Sequence, residues 1–435
     1  MSKRPAPDAW AFGVAINPKL YTSWGEDMDN ATTRQAYNLL TPEALANPYP
    51  VYERLRHEDP VHWSEMLQAW MLTRYDDVVA VLHDPRVSAD RMEQFATHQL
   101  RGLDLRIVAD YLRVANRGML MKDIPLHARL RRIASESFTK SALDIWRPIV
   151  QKVAEELLDR VQTMGRMDLV ADFAQPLPAI VIAEMFGIAP EDRESFQRWS
   201  DDIAKFFGGT FGNIEEDAHR ANDAVVKLEQ HFLKLIALHR QTPGHDLMSH
   251  LIATQEQGRL DAEELTAQCM LILVAGHVTT IDQIGNGVHT LLKHPHELQK
   301  LREQPALIHS AVEEILRFDS SVPFIHRIAR EDLEIRGHRI AKGQVVFLGL
   351  ASANHDPEQF SKPEQFNITR QPNKHLAFGV GPHLCLGAEL ARRELGLGLA
   401  TLFRRYPGLR FADHPPELRC DSLMFRGFKS MPLAF

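Results

Sequence analysis

The chain has 435 residues, 44% of them hydrophobic and 25% charged, ordinary proportions for a soluble globular protein. Its 50 Lys and Arg against 57 Asp and Glu leave a net charge of −7, which argues against general nucleic-acid binding, since that requires a basic face. No apolar run approaches the ~18 residues of a membrane span, and Cys269, Cys385 and Cys420 are too few and too scattered for a disulfide framework or a zinc site.

Met1 to about Ala36 reads as an extension in which Trp10, Phe12, Ile16, Tyr21 and Trp24 offer surface to pack. The expected division is an extension over 1–39 and a single domain over 40–435. Met1–Asp8 lacks the apolar core of a signal peptide, so the expectation is a reduced, cytoplasmic protein without a membrane anchor. Pro48-Tyr49-Pro50 leads into a helix over Val51–His57, followed by a hairpin of Val61–Trp63 with Ala69–Thr73 and a helix over Tyr75–His83. Arg86–Gly118 lacks periodicity and reads as a mobile loop region.

Helical patterns return at His127–Phe138, Leu143–Met164, Pro178–Phe186, Ala189–Phe206 and Asp217–Arg240. The longest covers Asp261–Lys293 and opens on Asp261-Ala262-Glu263-Glu264, acids that suit a first helical turn. Strand character gathers at Leu333–Ile335, Arg339–Ile340 and Gln344–Leu350, separated by turns at Gly337 and Lys342-Gly343. The sum is a helix-dominated chain with small sheets, ending in the helical run Ala388–Arg405.

The most specific stretch is Phe378-Gly379-Val380-Gly381-Pro382-His383-Leu384-Cys385-Leu386-Gly387. Glycines allow tight backbone bends, and the loop feeds a helix N-terminus whose free N–H groups favour an anion. That setting favours thiolate over thiol. A free cysteine is most often a small buried hydrophobe, but Phe378, Gly379, Gly381, His383, Cys385 and Gly387 together set this one apart. The stretch resembles the cysteine loop of the cytochrome P450 superfamily. The resemblance implies a mainly α, single-domain fold with small β-sheets, in which haem b lies between the long central helix and the cysteine loop. Cys385 is then the metal ligand, and Phe378, Gly379 and Gly387 line the cofactor.

Three further constellations match the same family. Glu314 and Arg317 are three apart on a helix and resemble its buried structural pair, with Arg370 as expected third partner. His127 and Arg131 share a helical face, and with Arg327 and His383 they match the positions that bind haem propionates. Ala275-Gly276-His277-Val278-Thr279-Thr280 lies mid-way along the longest helix and resembles the oxygen-binding groove, which makes Ala275, Gly276 and Thr279 the catalytic candidates. It departs from the family at Val278, where most members carry an acid. His277 is no substitute, because one helical step turns a side chain by about 100°. It is expected to pack elsewhere, leaving water or a substrate hydroxyl to supply protons.

The implied activity is insertion of one oxygen atom from O2 into a small apolar substrate, by hydroxylation or epoxidation. NAD(P)H-derived electrons would arrive through a ferredoxin or flavodoxin and its reductase, with Arg129, Arg132, Arg392 and Arg393 as docking candidates. By the same resemblance Arg86–Gly118, Ile203–Asn213, Ser320–Phe324 and Leu423–Phe425 are the expected pocket walls, offering Phe95, Leu103, Phe206, Phe207, Val322, Phe324 and Met424, with core packing as the alternative for most of these side chains. A peroxide-driven or rearranging enzyme on the same haem is the alternative that Val278 leaves open. A non-catalytic haem-binding module is the reading from another class.

Overall fold

Burial decides which of the expected helices is central. Ala262–Lys293 runs 32 residues and is buried on nearly every face, and in chemical terms it begins as its sequence predicts. Asp261 caps it: its carboxylate accepts from the Glu264 amide at 2.7 Å, and Glu264 accepts from the Asp261 amide at 3.1 Å. Among the described residues it alone is long and apolar enough to cross a membrane, but 72% of that window is buried inside the protein. The architecture is that of a computed structural model describing residues 37–209, 213–244 and 246–435. The aromatic residues expected to anchor the extension, Trp10 to Trp24, therefore lie outside the described residues.

Around this helix pack Pro176–Met185, Arg193–Gly208, Ile214–Gln241, Ile308–Phe318 and Ala388–Arg405. The apolar residues they turn inward form one large cluster that runs from Met92 to Leu433. The pattern expected over Leu143–Met164 is two helices rather than one, Lys140–Asp144 and Arg147–Val161, because Pro148 can only sit at a helix start. Arg86–Gly118 is more ordered than its pattern suggests. It holds a helix over Ala109–Ala115 whose first amides, Asp110 and Tyr111, donate to the Asn222 side chain at 3.0 and 3.1 Å. The capping group comes from a residue more than a hundred positions away, so no local signal announced it.

A five-stranded sheet packs beside the helices in the order Val61–Ser64, Ala69–Leu72, Val345–Gly349, Phe324–Ala329, Val87–Ser88. Ala69–Leu72 runs parallel to Val345–Gly349, and the other neighbours are antiparallel. The hairpin and the strand before Leu350 match expectation. Phe324–Ala329 was not expected as a strand. It pairs with Val345–Gly349, setting His326 opposite Phe347 and Arg327 opposite Val346. Successive strand residues face opposite sides, so this pairing sends His326 and Arg327 in different directions.

Candidate functional site

The cysteine loop is shaped by two left-handed glycines. Gly379 has φ +67° and Gly381 φ +78°, and a Cβ on Gly381 would stand 2.8 Å from the Leu82 carbonyl oxygen. Gly387 differs: its φ of −83° suits any residue, and a Cβ there meets no atom within 4 Å. It leaves space rather than a bend. The Cys385 amide donates to the Phe378 carbonyl at 2.9 Å, closing the loop. The Phe378 ring lies under the Arg392 guanidinium at 4.7 Å, a cation–π contact.

Cys385 is accessible to water, yet it lies deep enough that burial pushes its thiol above the ordinary value. The Gly387 and Ala388 amides and the cations Arg131 and Arg392 act in the opposite direction. The helix terminus therefore does favour the thiolate, as expected, but desolvation outweighs it in the protein alone. A bound metal would have to supply the rest, since a coordinated thiol loses its proton outright.

The propionate candidates converge. The His127 and His383 rings lie 3.8 Å apart at 31°. His383 is pushed down to about 3 by burial and by the neighbouring His127 and Arg327, and His127 is lowered by burial and by Arg131. Arg327 is 8% exposed, donates among the described residues only to the His326 carbonyl at 2.9 Å, and is lowered to about 10 by burial. Arg131 is lowered by burial and has no ion pair or hydrogen bond among the described residues. Two arginines and two imidazoles thus share a desolvated region with no carboxylate bound to them. Asp123, the nearest acid acting on them, is engaged by the Ala89 amide at 2.9 Å and by Ser88. Buried cations without partners are costly, and the two carboxylates of a haem are the complement this region lacks.

The central helix is open in one place. Every residue from Glu264 to Met270 and from Thr280 to Val288 is buried, whereas Leu271, Val274, Ala275, Gly276 and Thr279 are not. Leu271, Ala275 and Thr279 are four apart and share a face. Among the described residues the Thr279 hydroxyl reaches only the Ala275 carbonyl, at 3.5 Å, so it can turn toward this opening. Gly276 has a packing reason as well, since its missing Cβ would meet Ile182 Cδ1 at 3.0 Å. His277 does pack elsewhere: it is buried, with Nδ1 at 2.9 Å from the Leu273 carbonyl and Nε2 at 3.6 Å from Asp201.

The family model "Cytochrome P450" matches residues 62–408. The chain belongs to the cytochrome P450 family. It is 37% identical over 401 residues to the polyketide biosynthesis cytochrome P450 PksS of Bacillus subtilis, covering 89% of this chain and 96% of that protein. It is also 37% identical over 408 residues to the vitamin D(3) 25-hydroxylase of Pseudonocardia autotrophica, covering 92% and 97%. Among solved structures, P450BioI in complex with an acyl carrier protein ligated by hexadec-9Z-enoic acid superposes with a TM-score of 0.84 at 36% identity, over 90% of this chain and all of that one. CYP267B1 in complex with myristic acid gives 0.81 at 36%, over 91% and 98%. The P450 fold and the oxidoreductase class follow, and with them a haem held by thiolate.

Haem fits these residues on three counts: an accessible thiol at a helix start, open space beside Gly387, and cationic and imidazole groups awaiting two carboxylates. Among the described residues no group of three or more His, Cys, Asp or Glu could hold a bare metal ion. Below the loop the P450 structural pair is as expected. Arg317 holds Glu314 with two hydrogen bonds of 2.8 Å, and Arg370 adds Nε at 3.1 Å to both carboxylate oxygens. Glu314 and Arg317 are fully buried.

Two expectations need correction. Of the proposed pocket residues, Phe95, Phe207 and Met424 line a cavity, together with Arg91, Met92, Tyr111, Met121, His326, Phe347 and Leu423. Phe206 and Phe324 are core instead: Phe206 packs edge-on against Phe95 and Tyr111, and Phe324 against Tyr52. Of the docking arginines, Arg129 is bound to Glu264, Arg392 to Glu313 at 2.7 and 3.0 Å, and Arg393 to Asp144 at 2.9 Å. Arg132 alone of the four is exposed with no ion pair among the described residues. The arginine that sequence reading missed is Arg91, which sits in a stretch without periodicity; only the strand and helices folded around it reveal its burial.

Proposed function

We propose that this P450 is a haem b-dependent monooxygenase of a small, largely apolar organic molecule, and that residues 40–435 act as one catalytic domain. The carrying observation is the accessible Cys385 thiol at the start of Ala388–Arg405, on whose surroundings Arg131, unpaired among the described residues, and the half-satisfied, buried Arg327 also bear. Cys385 is the iron ligand, His127, Arg131, Arg327 and His383 hold the propionates, and Phe378, Gly379 and Gly387 shape the proximal side. What the haem supplies when bound is activation of dioxygen under the electron push of the thiolate.

The chain's own part is to bind and orient the substrate, exclude water and deliver protons. Ala275 and Gly276 leave room beside the central helix, and the Thr279 hydroxyl holds a proton at the edge of that room. Electrons come from NAD(P)H through a ferredoxin or flavodoxin and its reductase in the cytoplasm, where Cys385 stays reduced. With three of the four docking arginines engaged internally, Arg132 is the one left to meet an acidic partner. The relatives support the substrate class: their names speak of polyketide and biotin biosynthesis and of vitamin D(3), and neighbouring structures hold myristic acid or testosterone.

The test is the carbonyl difference spectrum of the reduced, haem-supplied protein. A thiolate-type Soret band, lost in Cys385→His, is the expected result; a globin-like band in the wild-type protein would refute the assignment. Val278 favours one second reading, a peroxide-driven reaction that needs no relay of protons to dioxygen. Turnover with peroxide at rates above the reductase-coupled reaction would establish it.

A further inference from the structure

Arg91 is the least accounted-for charge in the P450 interior. It is 6% exposed, and its one hydrogen bond among the described residues goes from Nη1 to the Ala89 carbonyl at 3.2 Å. A guanidinium carries five N–H donors in a planar fork, so most of this one is unused. It lies over the Phe207 ring at 5.8 Å and lines the cavity with Met92, Phe95, Met121, Phe347 and Met424. Among the described residues no carboxylate pairs with it: its neighbour Asp90, whose charge does act on it, is turned to Lys122 at 3.4 Å, and Arg327 adds repulsion. Burial and that repulsion lower Arg91 to about 9, which still leaves it a cation at neutral pH.

His326 faces the same cavity and is orphaned as well. Its Nδ1 is buried without a partner, and burial lowers the ring well below its ordinary value, so the imidazole is neutral and able to donate one N–H. Strand alternation separates it from Arg327, which belongs to the propionate group. None of His127, Arg131, Arg327 or His383 lines this cavity. Arg91 is near enough to Arg327 and His383 for its charge to act on both, but those four groups already match a haem's two carboxylates, and it is the cavity that Arg91 and His326 line.

We propose that Arg91, assisted by His326, anchors the carboxylate of an otherwise apolar substrate acid. A planar fork matches a carboxylate with two parallel hydrogen bonds, and the walls around it suit an alkyl or terpenoid body. The acid end is then fixed at the cavity, and oxidation falls on carbon away from the carboxyl group. This deepens the monooxygenase reading and rests on it for the position of the chemistry, but the binding claim can be tested apart from turnover.

The experiment titrates the haem-loaded full chain with the saturated straight-chain acids from decanoate to hexadecanoate and with their methyl esters. Affinity is read by the Soret shift and, independently of the iron, by isothermal titration. The wild type should prefer the acid over the ester of the same length by about 10- to 150-fold, the range of a charge-assisted hydrogen bond. Arg91→Gln should shrink that preference to less than about threefold, and Arg91→Lys should keep part of it, since a point charge retains attraction without the fork. Equal affinity for acid and ester, no binding of any acid in the series, or an unchanged preference in Arg91→Gln would each overturn the proposal. So would Arg91→Gln that lowers the haem-to-protein ratio, because that result would assign Arg91 to the propionates. An absent thiolate-type carbonyl band with the acid preference intact would instead sink the monooxygenase reading alone.

Discussion

Replacing each of two loop glycines by alanine separates what holds the fold from what makes room for the haem. Gly381→Ala forces an L-residue to φ +78° and drives its Cβ to within 2.8 Å of the Leu82 carbonyl oxygen. Left-handed backbone costs ~1–2 kcal/mol, and the backbone clash adds an overpacking cost of ~1–3 kcal/mol, so the protein should lose about 2–5 kcal/mol with or without haem. Gly387→Ala has neither problem, with φ −83° and no atom within 4 Å of the new Cβ. In the apoprotein it should change stability by no more than about 1 kcal/mol, the scale of a helix-cap preference. If the open space beside Gly387 is where the haem lies, the same methyl overpacks the holoprotein by ~1–3 kcal/mol, or about 5- to 150-fold in haem dissociation. Urea midpoints of apo- and holoprotein, together with haem transfer to apomyoglobin, measure both quantities. Gly387→Ala that retains haem as tightly as the wild type would refute the cradle reasoning.

Arg317→Leu removes the closest cation from the fully buried Glu314 carboxylate, leaving it to Arg370, Asn373 and the Asn367 amide, and strands the carbonyl acceptors of Asn354 and Pro363. The expected loss is ~3–5 kcal/mol, and a urea midpoint that moves by less than a quarter of that would mean Arg370 alone suffices. Arg327→Gln keeps the fold but weakens haem retention by about tenfold or more, because a charge-assisted hydrogen bond to a propionate is replaced by a neutral one; haem transfer kinetics measure it. Glu394 is buried, both its oxygens lack hydrogen-bond partners, and burial raises it to about 8. A carboxyl raised in the folded state binds more protons there than when unfolded, so its contribution is full below about pH 4.5 and is lost as pH climbs through about 8. Glu394→Gln should flatten the fall of stability over that window and be more stable than the wild type above it; parallel pH–stability curves would count against the buried, protonated acid. Val278→Glu restores an acid beside Thr279, and product formed per NAD(P)H consumed should rise; an unchanged ratio would show that protons already arrive by another route.

What the sequence determined by itself was local. The loop Phe378–Gly387 and the helix Ala388–Arg405 lie within one short stretch, as do the Asp261 cap and the Glu314–Arg317 spacing. Their chemistry depends on neighbours a few positions away, so the cysteine at a helix start, the long central helix and the Glu314–Arg317 pair could be read before any contact was known. Pairings between distant parts of the chain were legible only where a family pattern supplied them, as for His127 beside His383 and Arg370 on Glu314. The tertiary structure alone decided the rest. Phe324–Ala329 becomes a strand only against Val345–Gly349, and that pairing sends His326 to the cavity and Arg327 to the opposite face of the sheet. Arg129, Arg392 and Arg393 look like free surface charge until Glu264, Glu313 and Asp144 arrive from elsewhere in the chain. Arg91 is an unremarked residue in an aperiodic run until helices and sheet close over it and leave its charge unanswered. Burial and partnership are properties of the packed chain; a residue's neighbours in sequence carry them only when helix or turn geometry makes those neighbours its contacts.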